Sequence, residues 1–425
     1  MSLPIWTAAL ARVKAGTGNA RVVCVGDSTT FGYGSTAGGN IPPFAWPKLV
    51  SDLFNNAGIN SQWNSWMGVG TSGGGFVGYQ YFDTRLTFGS AWANAAYPTF
   101  SVGGYPMSAT TNTNAISFLP TVNVDTFNVF YVQDTAGGLN PGSFTMNING
   151  GSNTTVNTQG ASKVSNATIT GTLGSNTLNI NWSTGGGVYI VGAEAYDSSK
   201  SWVSMINCGW TGSSSKTWTA DGDLSNNYSP CNGLAYMGQA LTIIDLGIND
   251  WNNSIGTTNY STYMQDLITA ALASGGDVLL VKPSPTNPSG GISIPVQQSY
   301  LAVIDTLAAS NNLAVCDVYD AFGSWATANS NGYMFDSLHP NESGYSAVYA
   351  PTVFNSINLF QSISAPSIPV YPPKGFVPSL PLNAQPLAQV GATPLERIYQ
   401  RIFINTLILK QLASITDEDY TFIGH

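Results

Sequence analysis

Two histidines occur in this 425-residue chain, and one of them is the C-terminal residue. The other, His339, stands in Asp336-Ser337-Leu338-His339-Pro340. Far upstream, an apolar run over residues 21–25 ends in Gly26-Asp27-Ser28-Thr29-Thr30. A serine becomes a useful nucleophile only when a base takes its proton, and the base needs a carboxylate to hold its tautomer. Ser28, His339 and Asp336 supply those three types, and with a single internal histidine the base has no rival. In a turn, residues three apart can face the same way, so Asp336 can accept from one ring nitrogen while the other faces Ser28. A second polar group fits the same chemistry. Leu246-Gly247-Ile248-Asn249-Asp250 follows an apolar run, and the Asn249 amide can donate to an oxyanion. Two glycine clusters could bring a backbone N–H close to the same oxygen: Asn207-Cys208-Gly209-Trp210-Thr211-Gly212, and Gly68-Val69-Gly70-Thr71-Ser72-Gly73. Read one at a time, these segments also make ordinary caps and turns.

The elements that must position these groups are of two kinds. Continuous apolar runs at 21–25, 241–246, 278–281 and 313–318 read as fully buried strands of a parallel sheet. Helical periodicity lies between them, in Tyr263, Leu267, Ile268, Ala271 and Leu272, and in Leu301, Ile304, Leu307 and Ala308. A helix over 44–55 follows the first strand, with Trp46, Leu49, Val50 and Leu53 facing inward. This alternation predicts a three-layer α/β/α sandwich, with Ser28 at the carboxyl edge of the sheet, where such folds put their sites. Polar and apolar residues instead alternate over 126–132, 143–148 and 177–182, separated by turns such as Asn149-Gly150-Gly151. That pattern predicts an antiparallel β-sandwich inserted in the α/β region. The expected organisation is a first core part over 1–96, the insert over 97–200, a second core part over 201–360, and a tail over 361–425. The tail opens with a proline-rich linker; Thr393-Pro394-Leu395-Glu396 then caps a helix whose apolar face, with Ile398, Ile402, Leu407 and Ile408, must dock on the body or on a partner.

Composition narrows the partners. Charged residues make up 8% of the chain, aromatics 12%, and the formal net charge is −9 with 13 Lys+Arg. There is no basic footprint for nucleic acid or an anionic membrane. Uncharged glycans suit such a surface, since Trp and Tyr stack on sugar rings without charge. Residues 1–16 do not read as a secretion signal, and the apolar stretch at 402–409 is too short to span a bilayer. Cys24 and Cys316 read as buried apolar residues, Cys208 and Cys231 could pair, and no Cys/His spacing suggests a metal. No cofactor is expected.

Gly26-Asp27-Ser28, then Asn207, Gly209 and Gly212, then Gly247, Asn249 and Asp250, then Asp336 and His339 resemble, in that order, the four blocks of the SGNH hydrolases, also called GDSL-type esterases. The resemblance runs from about residue 22 to 360, leaving out the insert, and Thr29 stands where leucine is frequent. It implies Ser28 as nucleophile, His339 as base and Asp336 as its orienter. It also implies an oxyanion hole from the backbone N–H groups of Ser28 and Gly212 and the side chain of Asn249. The second block lies beyond the insert rather than soon after the first, so Gly70 and Gly73 compete with Gly212. Together with the insert and the tail, the resemblance extends to carbohydrate esterases, including those on phage tail proteins. The expectation is a serine esterase that removes acyl groups, acetyl first, from a polysaccharide, acting outside cells or on a virion, with self-association or particle attachment through the tail helix. The competing readings are a non-catalytic glycan-binding or virion tail protein with a hydrolase-like core, and an acyltransferase with the same triad.

Overall fold

A computed structural model describes residues 3–36, 39–69, 82–94, 101–111, 114–135, 138–288 and 292–358. Gly70, Gly73, the proline-rich segment and the tail helix lie outside the described residues.

The apolar runs form a six-stranded sheet in the order Ala314–Asp317, Asp277–Lys282, Leu241–Asp245, Ala20–Gly26, Val203–Gly209 and Ser61–Gln62. Every neighbouring pair in it is parallel. Successive side chains of a strand point to opposite faces, and both faces here are covered. Val23, Val25, Ile206, Ile244 and Leu280 pack on one side with the helices Thr257–Ala273 and Ile294–Asn311. Val22, Cys24, Met205, Ile243 and Val281 pack on the other with Pro4–Lys14, Trp46–Asn56 and Ala350–Ile357. Two details differ from the periodicity reading. The helix Thr257–Ala273 buries Tyr260, Met264, Leu267, Ile268 and Ala271, whereas Leu272 is 40% exposed. Trp46–Asn56 turns Phe54 inward and leaves Leu49 and Leu53 partly buried, because Phe54 meets Trp6 and Phe354 edge-on. The helix Pro4–Lys14, absent from the sequence reading, buries Trp6, Ala9, Leu10 and Val13, which fall on one helical face.

The chain leaves the strand Ala20–Gly26, visits the sheet edge at Ser61–Gln62, and returns to flank that first strand with Val203–Gly209 on one side and Leu241–Asp245 on the other. The connections therefore diverge around Ala20–Gly26, which opens a crevice at its carboxyl end.

Between the two visits to the parallel sheet the chain builds two antiparallel sheets. One is ordered Thr154–Asn157, Gly142–Ile148, Leu178–Gly185, Ile116–Phe118, Leu86–Phe88; the other Lys163–Gly174, Val124–Gln133, Val188–Tyr196, Met107–Ala109, Ala93–Asn94, with Ser65–Met67 also pairing to Val188–Tyr196. Strands from Ser65 onward thus take part, well before residue 97. Phe118, Phe127, Tyr131, Phe144 and Ile180 share one apolar cluster. Between Gly142–Ile148 and Thr154–Asn157 the chain turns at Asn149 and Gly150, both with positive φ, 54° and 73°, and the Gly151 N–H donates to Ile148 O at 3.0 Å. The junction with the parallel sheet is polar: buried Glu194 pairs with Arg21 at 2.6 Å and also accepts from Ser204 Oγ. A carboxylate removed from water is tolerated there because both a cation and a hydroxyl meet it.

The four cysteines are free and buried. Cys208 and Cys231 do not pair, and burial pushes the Cys231 thiol up to about 12. Among the described residues no helix is long and apolar enough to cross a membrane.

Candidate active site

Ser28 opens a one-turn helix, Ser28–Phe31, directly after the first parallel strand. Asp27 is its N-cap, accepting from the Thr29 N–H at 2.8 Å. Capping and nucleophile placement are therefore served by adjacent residues, and the turn's tightness aims Ser28 out of the sheet edge. The helix packs closely on the next strand: a Cβ at Gly209 would sit 2.0 Å from the Phe31 backbone nitrogen. Only glycine fits there.

Ser28 Oγ lies 2.8 Å from His339 Nε2. On the far side of the ring, Nδ1 lies 2.9 and 3.1 Å from the Asp336 carboxylate oxygens. That carboxylate also accepts from the backbone N–H groups of Leu338 and His339, both at 2.7 Å. Burial pushes the Asp336 carboxyl up, but the hydrogen bonds from the His339 ring and these backbone groups outweigh it and hold it below the usual carboxylate range. An ionised carboxylate can only accept, so the ring proton belongs on Nδ1 and Nε2 is left to accept from the Ser28 hydroxyl. The Ser337 carbonyl, which accepts from Asn287 N–H at 2.8 Å, anchors the loop that carries the pair.

The Asn249 amide donates one hydrogen to the Ser213 carbonyl at 2.8 Å. Its other contact, to Asp27 Oδ2, is long at 3.3 Å. The segment between Asn207 and Ser213 is fastened beside the nucleophile: Trp210 N–H and Ser213 Oγ both donate to the Gly26 carbonyl, at 3.0 and 3.3 Å. Asn207 itself folds back, its side chain accepting from Gly209 N–H at 2.8 Å. Gly212 has φ +75° and open space around its Cβ position. The backbone N–H groups of Ser28 and Gly212 have no hydrogen-bond partner among the described residues. Donors without a partner are what a developing oxyanion requires.

An aromatic ring and three acids complete the surroundings, and of these Tyr33 and Asp245 belong to no motif in the sequence. The Tyr33 ring lies 4.8 Å from that of His339 and edge-on to Phe335 at 6.1 Å. Beneath the loops sit three buried acids. Burial, then the neighbouring Asp245 charge, raises the Asp27 carboxyl well above its ordinary range. Burial pushes Asp245 to about 6 against hydrogen bonds from Tyr349 and Thr30, and Asp250 to about 6 against those from Ser215. No group of three His, Cys, Asp or Glu among the described residues could hold a metal.

A serine hydroxyl on an imidazole, the imidazole on a carboxylate, and N–H donors without a partner at the carboxyl end of a parallel sheet make an arrangement with the parts acyl transfer needs. Residues 187–347 match the family model of GDSL-like lipases and acylhydrolases. Over that stretch the chain matches the GDSL-type, or SGNH, hydrolases, whose class is that of the carboxylic ester hydrolases. The match begins beyond Ser28; the first block joins the others through the parallel pairing of Ala20–Gly26 with Val203–Gly209. A solved structure of a peptidoglycan O-acetylesterase is similar in fold, with TM-score 0.60 and 16% identity over 83% of this chain and 95% of that one. A lipase/acylhydrolase from Enterococcus faecalis is 17% identical over 37% of this chain and 76% of its own, with TM-score 0.31. For an acetylxylan esterase from Geobacillus stearothermophilus the corresponding values are 15%, 37%, 73% and 0.30. No curated protein matches by sequence.

Proposed function

We propose that this protein removes O-linked acetyl groups from a polysaccharide, with Ser28 as nucleophile, His339 as base and Asp336 as its orienter. The single observation that carries the reading is the relay from Ser28 Oγ to His339 Nε2 at 2.8 Å and from Nδ1 to Asp336 at 2.9 Å. The Ser28 proton passes to Nε2 as Oγ bonds to the acetyl carbon. The oxyanion then takes hydrogen bonds from the Ser28 and Gly212 N–H groups and the second amide hydrogen of Asn249. Collapse breaks the bond to the sugar oxygen, which leaves with the proton from His339. Water, deprotonated by the same ring, releases acetate and restores Ser28.

A glycan is the substrate class favoured by the surroundings. Tyr33 and Phe335, 38% and 49% exposed, flank the histidine with aromatic surface and no charge. The fold neighbour just described acts on peptidoglycan O-acetyl groups, by its name. In this reading the two antiparallel sheets form a β-sandwich that frames the polymer, and the protein works outside cells or on a particle that meets a cell wall. Acetate release from O-acetylated peptidoglycan and acetylated xylan, measured for the native chain and Ser28→Ala, tests it. Release by the native chain that falls to background in Ser28→Ala is expected. Turnover of p-nitrophenyl acetate with no release from any polymer would leave an esterase but remove the glycan.

A further inference from the structure

The active site occupies the carboxyl edge of the parallel sheet. At the opposite edge, where Ser61–Gln62 and Val203–Gly209 begin and the antiparallel sheets abut them, the surface opens into a cleft of about 400 Å³. That volume lies within the range of small-ligand sites. The strands pair in register from Ala20–Val203 to Gly26–Gly209. At about 3.3 Å per residue the cleft is therefore roughly 20 Å from Ser28.

We infer that this cleft is a second binding site, for an uncharged oligosaccharide segment of the polymer. Its lining has the makeup such a ligand needs. Tyr196 lies against Trp202, ring centroids 4.5 Å apart, and Trp202 is 6% exposed. Tyr196, half-buried, is held at a 43° tilt against the indole, and the two rings line the cleft together. A ring held in this way offers a flat apolar surface to the C–H face of a pyranose at little entropic cost. The side-chain amides of Asn60 and Asn123 also line the cleft and make no hydrogen bond to the described protein. Each presents a donor and an acceptor, which is the pairing a sugar hydroxyl uses. Val122 and Leu173 complete the rim at 52% and 47% exposure.

Charge excludes the other ligand classes. The ionic groups of the lining are Asp197 and Lys200, and they neutralise one another at 3.0 Å. An acidic or basic polymer would find no net charge to meet. A neutral sugar loses nothing by that and gains stacking and amide contacts. The ligand class rests on the glycan reading of the active site; the cleft's geometry does not. Its consequence is kinetic: a polymer held there keeps its acetyl groups at high local concentration near Ser28.

The test uses the full-length chain with Ser28→Ala, so that bound ligand is not turned over, and xylotetraose and chitotetraose as probes in calorimetry. Saturable binding of one probe is expected, weakened about tenfold by Tyr196→Ala and by the exposed Asn60→Ala. In the otherwise native enzyme both substitutions should leave p-nitrophenyl acetate turnover unchanged while slowing acetate release from the polymer. Absence of saturable binding, or binding that persists unchanged in both variants, overturns the inference. Loss of the active-site reading would show separately, as p-nitrophenyl acetate turnover that survives Ser28→Ala.

Discussion

The Asp27 carboxylate and the Asn249 amide meet at 3.3 Å across 222 residues of chain. They are the residue before the proposed nucleophile and the candidate oxyanion donor, and the contact is too long to hold the amide firmly. The firm bond is to Ser213 O, at 2.8 Å, which leaves the second amide hydrogen for substrate. Asn249→Ala should therefore lower kcat roughly 10²–10³-fold with little change in KM, since the donor acts on charge that exists only in the transition state. Steady-state kinetics on p-nitrophenyl acetate checks this. A rise in KM at constant kcat would make Asn249 a ground-state binding residue.

Asp336→Asn should leave the fold intact and lower kcat by about 10⁴-fold. An amide can donate to Nδ1, which would move the ring proton to Nε2 and deny Ser28 its base. The backbone bonds from Leu338 and His339 can still be accepted by the amide oxygen, so loop geometry survives. Circular dichroism and kinetics on the same sample separate the two effects.

Two glycines three residues apart should respond differently to alanine. At Gly209 the new methyl meets the Phe31 backbone at 2.0 Å, and the helix bearing Ser28 must move. Loss of both stability and activity is expected. At Gly212 the methyl has room, and the cost is that of a positive φ, about 1–2 kcal/mol. The N–H survives, so kcat should stay within about tenfold of native. Urea melts paired with kinetics test this; equal damage at both positions would count against the packing argument.

Stability should fall as pH rises from about 4 to about 6 through the buried acids. Asp250, with its carboxyl raised from 3.8 to about 6, prefers its proton in the folded state. Below the lower value both states are protonated and folding carries no penalty from it; above the higher value both are ionised and the penalty is complete. Asp250→Asn keeps an acceptor for Ser215 and cannot ionise. Its stability relative to the native chain should thus be higher at about pH 7.5 than at about pH 4.5, by urea midpoints. A pH-independent difference would show that Asp250 does not titrate in this window.

The parallel core was legible because a strand buried on both faces needs an unbroken apolar run, and 241–246 and 278–281 supply one. The Ser28–His339–Asp336 geometry was legible for a different reason: a chain with one internal histidine leaves one candidate base. The short strands Ser65–Met67 and Leu86–Phe88 were not, since three residues cannot show a period. Nor was Tyr33, whose place beside His339 depends on a contact across some 300 residues rather than on any local pattern. Asp250 stands in the third motif and Asp245 in none, yet what raises both carboxyls is depth, which spacing does not encode.

The wide separation of the proposed nucleophile and base has a bearing on how the protein is born. Ser28 and His339 are 311 residues apart, and the first strand pairs on both sides with strands made only after those of the antiparallel sheets. During synthesis the nucleophile leaves the ribosome long before its base exists, and at some 5–20 residues per second that interval lasts on the order of tens of seconds. Until then the nascent chain holds a serine with no histidine to take its proton. Contacts this remote in sequence also close slowly. The antiparallel sheets, whose strands are all made by Tyr196, can form meanwhile. Hydrolytic power should therefore arrive late and all at once, with the last stretch of the core, and a chain halted before Asp336 should be hydrolytically silent however well its earlier parts have folded.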